Sequence, residues 1–502
     1  MEAKINELKR LWAEAADLRS VGAVLDWDQS TYMPAGGAPA RARHIALLGR
    51  LAQEKATDVR IGHLLDELQA YAESLPYEHP DAALVRVGRR MYERDLKVPP
   101  AFIGDMFQLG AESFNAWAKA RPENDFKSLR PYLEKILDTS RRLANFFPGY
   151  EHIADPLIDT SDFGMKATTL RSLFAQLRRE LLPLVKAISA HPPADNSCLY
   201  RHFDQKGQLE IGAELSRQMG YDFQRGRMDL THHPFTTRFS DGDIRITTRV
   251  NEHDLADCLY SCLHEAGHAM YELGIRPELN ATALGHGTSA GVHESQSRLW
   301  ENLVGRSRDF WVYAYPRMQA TFPGVLDDIS LETFYRAVNK VQRSLIRVDA
   351  DEVTYNLHVM IRFELELMLL EGNLQVRDLP EVWHAHYQAD LGVRAPDDRD
   401  GVMQDVHWFA GQIGGMFQGY TLGNILSAQF YQAARQAHPE SPEEMRSGKF
   451  DTLHGWLIEN LYQYGSMFTT DEVVQRATGG PLSIEPYMAY LKGKYGELYD
   501  LG

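Results

Sequence analysis

The run His264-Glu265-Ala266-Gly267-His268 holds the residue types that bind and use a metal ion. On a helix, residues four apart lie about 40° apart in projection, so the two imidazoles can address one ion. Glu265 falls about 100° round from His264, near enough to meet a water at that ion without ligating it. Two histidines and a glutamate so disposed have zincin chemistry: the metal polarises a carbonyl and activates water, and the glutamate takes the water's proton. Such a site keeps one coordination position open and needs a third protein ligand. A His-x-x-Gly-x-x-His extension is excluded, because Ala269-Met270-Tyr271-Glu272-Leu273-Gly274 follows His268. A carboxylate on the next helix remains. Within VHESQSRLWENLVG, Glu294 and Glu301 compete, and they fall on nearly the same helical face.

These side chains need rigid elements to aim them. Thr236–Ser240 and Asp243–Val250 are rich in Thr, Ile, Val and Phe and flank Asp241-Gly242, which is a strong hairpin signal. Asn251 then reads as a helix N-cap with Asp254 in the first turn, and the helix runs to about Leu273 with Gly274 as its stop. The small-residue stretch ATALGHGTSAG suits a turn into the next helix. Cys258 and Cys262 share the helix, but Cys262 lies about 200° round from His264, so both read as small core residues.

Elsewhere helical periodicity dominates, through Ile5–Leu18, Ile45–Leu51, Leu170–Ile188, Phe334–Ile346, Val353–Leu370 and Trp456–Tyr464. Strands do not alternate with helices, no repeat of fixed period is present, and the Pro/Gly punctuation is short. The expectation is an all-α fold with one small β-hairpin beside the site, and a single domain over residues 1–502.

Composition narrows the class. The 502 residues carry a net charge of −16 and are 44% hydrophobic, which suits a large buried core and disfavours a nucleic-acid partner. No run of about 18 apolar residues is present, so no membrane span is expected. The start lacks the apolar region of a secretory signal, and three cysteines suit a reducing compartment. A cytoplasmic enzyme is the expected class.

Six ordered motifs go further. Trp27-Asp28, Thr31 and Met33-Pro34 followed by Arg41 form the first, and His233-Pro234-Phe235 the second. Asp243, Arg245 and Thr247 make a DxRxT pattern, and His293-Glu294-Ser295-Gln296 an HES segment. Ile346–Asp351 fits IRxxAD, and Gly401–Trp408 fits GxxQDxHW. With these motifs the chain resembles the carboxypeptidase Taq family of thermostable metallocarboxypeptidases over nearly its whole length. The resemblance implies a nearly all-helical body whose halves flank a deep groove, and a homodimer. It implies removal of single residues from peptide C-termini with broad specificity, Pro being disfavoured. By the same resemblance His264, His268 and Glu294 bind the metal, zinc by default and cobalt in some members, and Glu265 is the general base.

Substrate-binding residues follow from chemistry. A carboxypeptidase must bind a free carboxylate, for which a planar Arg is the natural partner. Arg347 is the first choice and Arg245 the second, the alternative for Arg347 being a structural pair with Asp349 or Asp351. The hairpin could hold an extended peptide by strand addition. His407 and Tyr420 are candidate donors to the substrate carbonyl or oxyanion. One departure is Phe417-Gln418-Gly419-Tyr420, where the family has Phe-Pro-Thr-Tyr, which puts the shape of the loop carrying Tyr420 in question. The competing readings are a dipeptidyl carboxypeptidase or oligoendopeptidase of the same helical clan, and a non-enzymatic scaffold with a structural metal.

Overall fold

The computed structural model describes residues 1–501, 67% of the chain being helical with one three-stranded sheet. Two compact units are present, each assembled from three stretches of chain. The first comprises Met1–Leu96, Asp195–Val338 and Ser427–Leu482; the second comprises Lys97–Ala194, Asn339–Leu426 and the chain from Ser483 onward. Among the described residues no helix is long and apolar enough to cross a membrane.

The first unit opens with a helical hairpin, α1 (Glu2–Thr31) and α2 (Ala38–Ala56). Ile5, Leu8, Leu11, Trp12 and Ala15 make the buried stripe of α1, at the spacing expected of an amphipathic helix. Near its end Trp27 is buried again, beneath the guanidinium of Arg245 at 4.4 Å. Asp28 pairs with Arg41 of α2 at 2.6 Å, and the Tyr32 hydroxyl donates to Asp229 of the sheet. The Trp-Asp motif therefore fastens the hairpin to the sheet.

The sheet has the order β1-β3-β2, with β1 (Met228–Leu230), β2 (Thr236–Ser240) and β3 (Asp243–Thr248). The expected hairpin is β2 and β3, antiparallel, with Thr236 opposite Ile246 and Arg238 opposite Ile244. Ile244 and Ile246 point into the core while Arg245 faces the other way, as a period of two requires. β3 stops at Thr248, two residues before the expected Val250. β1, parallel to β3, was not expected: three residues are too few to show a periodicity. β2 is an edge strand.

After the sheet comes α3 (Leu255–Leu273), which carries HEAGH and ends at Gly274. Its N-cap is Asp254, not Asn251. The Asp254 carboxylate accepts from the Ala256 and Asp257 amides, while Asn251 closes a tight turn by accepting from the His253 amide. α3 is buried on almost every face, as a core helix must be. Cys258 and Cys262 are buried and free, Cys262 against Met228. Next, α4 (Ala290–Arg298) is capped by Ser289 and runs into a fully buried π turn, Leu299–Val304.

In the second unit, α5 (Tyr355–Glu371) realises the expected helix there. At the end of the first unit's middle stretch, the expected helix Phe334–Ile346 is cut short: the helix there is Leu331–Val338. Beyond that point side chains take the backbone donors: the Val341 amide bonds the Tyr499 hydroxyl and the Gln342 amide bonds Asp351.

Candidate metal centre

α3 holds His264 and His268 one turn apart, with ring centroids 4.9 Å from each other. α4 packs against them as closely as backbones allow. A Cβ on Gly267 would lie 2.6 Å from the Gln296 carbonyl oxygen and 2.7 Å from the Ser297 Cα. Glycine in the middle of HEAGH is thus what admits α4 and delivers Glu294. Glu294 Oε2 lies 3.7 Å from His264 Nε2 and 3.3 Å from His268 Nε2. One atom from each of the three residues falls within 4.8 Å of the others. Tetrahedral ligands at about 2.0–2.1 Å from zinc stand roughly 3.3 Å apart, so this donor set fits a divalent metal ion.

The groups behind the three ligand atoms are also in place. Glu301 takes a different position from its competitor: its carboxylate lies 2.9 Å from His264 Nδ1, on the far side of the imidazole from Glu294. Arg298 bonds both carboxylates, donating to Glu294 Oε1 at 2.7 Å and to Glu301 at 3.1 Å. His268 Nδ1 lies 2.6 Å from His293 Nδ1, and His293 Nε2 lies 2.9 Å from Glu272. The sequence reading missed His293 and Glu272 in this position. His293 stood beside Glu294 in the HES motif and was the available signal.

Burial and charge set the protonation of these groups. Burial pushes the Glu294 carboxyl up, but Arg298, His264 and His268 outweigh it and hold the group well below the usual range. The same contest, with Arg298, His264 and Arg306 prevailing, brings Glu301 to about 2. His268 is held down at about 4 by burial, with His293 and His264 adding to it against Glu294. It is therefore neutral, as a metal ligand must be. Glu265 is displaced upward by burial, a shift that His264 and the Thr236 hydroxyl oppose. A carboxyl raised in this way holds a proton more readily than an exposed one, which suits a group that must accept and return one.

The four residues expected to bind substrate are disposed differently. Arg245, in the first unit, is engaged with Asp243 through two bonds of 2.8 and 2.7 Å and stacks on Trp27 and Phe239. Arg347, His407 and Tyr420 gather in the second unit around Asp405. Arg347 is buried, with Nε 2.6 Å from Asp405 and Nη1 3.1 Å from the Tyr355 hydroxyl. Its partner is neither Asp349 nor Asp351; Asp351 instead accepts from the Val353 and Thr354 amides. His407 Nδ1 bonds Asp405, and its Nε2 lies 3.2 Å from the Tyr420 hydroxyl. Arg362, fully buried and missed by the sequence reading, also pairs with Asp405, at 2.9 Å. Burial raises Asp405, but Arg347, Arg362 and His407 overcome it and hold the carboxyl far below its ordinary value. Tyr420 lies in the first turn of the helix Phe417–Ala437, where the departing Gln418 bonds Ser161 and Asp162.

Two imidazoles on one helix, a carboxylate delivered by the next and a buried glutamate beside them define a metallopeptidase site. The chain belongs to the carboxypeptidase Taq (M32) metallopeptidase family, whose model matches residues 7–495. It is 41% identical to thermostable carboxypeptidase 1 of Thermus thermophilus, with 99% of each chain covered. It is 35% identical to carboxypeptidase 1 of Bacillus subtilis, with 95% of each covered. The crystal structure of the M32 carboxypeptidase from Deinococcus radiodurans R1 superposes with a TM-score of 0.96 at 50% identity, covering 99% of this chain and 100% of that one.

Proposed function

We propose that the protein is a zinc-dependent carboxypeptidase that releases single amino acids from the C-termini of peptides, broadly in side chain and poorly at proline. The observation that carries this reading is the convergence of His264, His268 and Glu294 with Glu265 buried beside them. His264, His268 and Glu294 would hold a zinc ion, or cobalt in its place, which would supply Lewis acidity toward the scissile carbonyl and the attacking water. Glu265 would take a proton from the attacking water and return it to the leaving amine. Thr236, bonded to the Glu265 carboxylate at 2.7 Å, fixes which way the base points.

Broad specificity is what main-chain recognition produces, and the edge strand β2 offers main-chain groups to an extended peptide. A proline lacks the N–H for such pairing, which accounts for its being disfavoured. Arg347 is the proposed partner of the terminal carboxylate, because its cluster holds two guanidinium groups against the single carboxylate of Asp405. His407 and Tyr420 are the proposed donors to substrate oxygen. A homodimer, which the motif resemblance implies, and a cytoplasmic setting, which three free cysteines suit, complete the proposal.

The test is amino-acid release from N-blocked dipeptides and longer peptides, before and after chelation and metal add-back. Stepwise release of single C-terminal residues, lost on chelation and restored by zinc or cobalt, is the expected result. Glu265→Gln is expected to keep its metal and lose about 10²- to 10⁴-fold in kcat. Internal or dipeptide cleavage would overturn the exopeptidase assignment.

A further inference from the structure

The two histidines of the HEAGH helix are braced differently. His264 Nδ1 meets a carboxylate directly, that of Glu301 at 2.9 Å. His268 Nδ1 meets another imidazole, with His293 Nδ1 2.6 Å away, and the carboxylate of Glu272 stands one ring further on, 2.9 Å from His293 Nε2. Two ring nitrogens at that distance share one proton, one donating and the other accepting. His268 Nε2 faces Glu294 on the side where the three ligand atoms converge, and a ligating nitrogen carries no proton. The proton of His268 is therefore on Nδ1, so His268 donates and His293 Nδ1 accepts. The proton of His293 is then on Nε2, and Glu272 accepts it. Each tautomer follows from the one before.

The surroundings hold this chain in place. Glu272 also accepts from Arg238 of β2 at 2.8 Å and from the Gly287 amide at 3.0 Å. The His293 ring lies against Tyr271, with centroids 5.2 Å apart. Loop residue Gly287 closes over it so tightly that a Cβ there would lie 2.7 Å from the His293 ring.

We propose that His293 and Glu272 are a positioning pair: they hold His268 in its metal-binding tautomer and, through Arg238, tie that ligand to β2. The proposal rests on the metal-site reading above and deepens it. Because an imidazole stands between ligand and carboxylate, the pair acts on the metal through the orientation and basicity of His268. Its loss should weaken metal binding first and peptide hydrolysis as a result.

The experiment is competition of zinc, and separately cobalt, between a chelator and the full-length protein, with the cobalt absorption spectrum recorded without peptide. His293→Ala is expected to bind either ion about 10- to 100-fold more weakly, with an altered cobalt spectrum. Activity lost at limiting metal should return as metal is raised. His293→Gln, whose amide can accept from one side and donate to the other, should recover much of the affinity. Glu272→Gln should weaken binding in the same direction, and these two variants carry the test if His293→Ala does not fold. Wild-type affinity with an unchanged cobalt spectrum in the variants would overturn the proposal. Weakened metal binding in a protein that cleaves no peptide would sustain the pair and refute the carboxypeptidase reading.

Discussion

The Thr236 hydroxyl of β2 lies 2.7 Å from Oε2 of Glu265 and 2.9 Å from the carbonyl oxygen of the same residue. A hydroxyl has one proton, so it binds the carboxylate and the backbone in alternation, and only the first option orients the base. Two residues along, Arg238 bonds Glu272. One short strand thus touches both the proposed general base and the group behind a proposed metal ligand.

Thr236→Val keeps the shape of the side chain and removes the donor. Steady-state kinetics on a blocked dipeptide should show kcat falling about tenfold, the scale of one hydrogen bond, with KM little changed. Thr236→Ser should restore most of the rate. An undiminished kcat in the valine variant would mean that the hydroxyl does not hold the base.

Gly267→Ala puts a methyl group where the α4 backbone already stands. Forcing the helices apart should cost about 1–3 kcal/mol, read by urea unfolding of the metal-free protein. Because Glu294 rides on α4, metal affinity should fall too. An alanine variant with native stability and affinity would show that the helix contact can relax without moving the site.

Asp405→Asn strands two buried guanidinium groups, Arg347 and Arg362, without a countercharge. A loss of about 3–5 kcal/mol is expected. Arg347→Met leaves one arginine for one aspartate, so it should destabilise much less while raising KM for peptides at least tenfold. Were the stability losses equal and KM unmoved, Arg347 would be structural and the carboxylate partner would have to be sought elsewhere.

Glu366 on α5 accepts from Trp408 Nε1 at 2.9 Å, and burial, opposed by that bond, raises its carboxyl to about 7. An unfolded glutamate titrates near about 4.3, so between about 4.3 and 7 the unfolded chain gives up a proton that the folded protein keeps. The stability from Glu366 is complete below that window and is lost as pH rises through it. Glu366→Gln should flatten the fall in stability between pH 4.5 and 8 by up to about 3 kcal/mol, measured by urea unfolding across that range. Parallel profiles for the two proteins would show that Glu366 ionises normally.

The elements that local chemistry specifies were legible in the sequence. HEAGH declared its helix, Asp241-Gly242 declared the hairpin, and the HES motif picked out Glu294, which the fold brings beside His264 and His268. What escaped was decided by contacts between distant residues. Asp254 displaces Asn251 as the cap because the tight turn uses up the earlier residue. The helix from Leu331 stops at Val338, and a few residues on Tyr499 and Asp351 take the amides of Val341 and Gln342 that a longer helix would have used. Arg347 chose Asp405 over its sequence neighbours, and Arg362 joined it from α5. No periodicity encodes those pairings.

The order in which the chain is joined into its units bears on how the protein is made. Tyr462 bonds Trp300 and Gln296 and stacks on Tyr271, and Thr470 bonds the α4 cap Ser289, so the packing behind the metal centre comes from residues beyond 426. A ribosome adding about 5–20 residues per second takes roughly 10–40 s to travel from Glu294 to Leu482. Through that interval the nascent chain carries His264, His268 and Glu294 without the packing behind them. Completion of the site therefore waits for the last stretch of the first unit, and a chain truncated after Leu426 would leave the HEAGH segment exposed to chaperones and proteases.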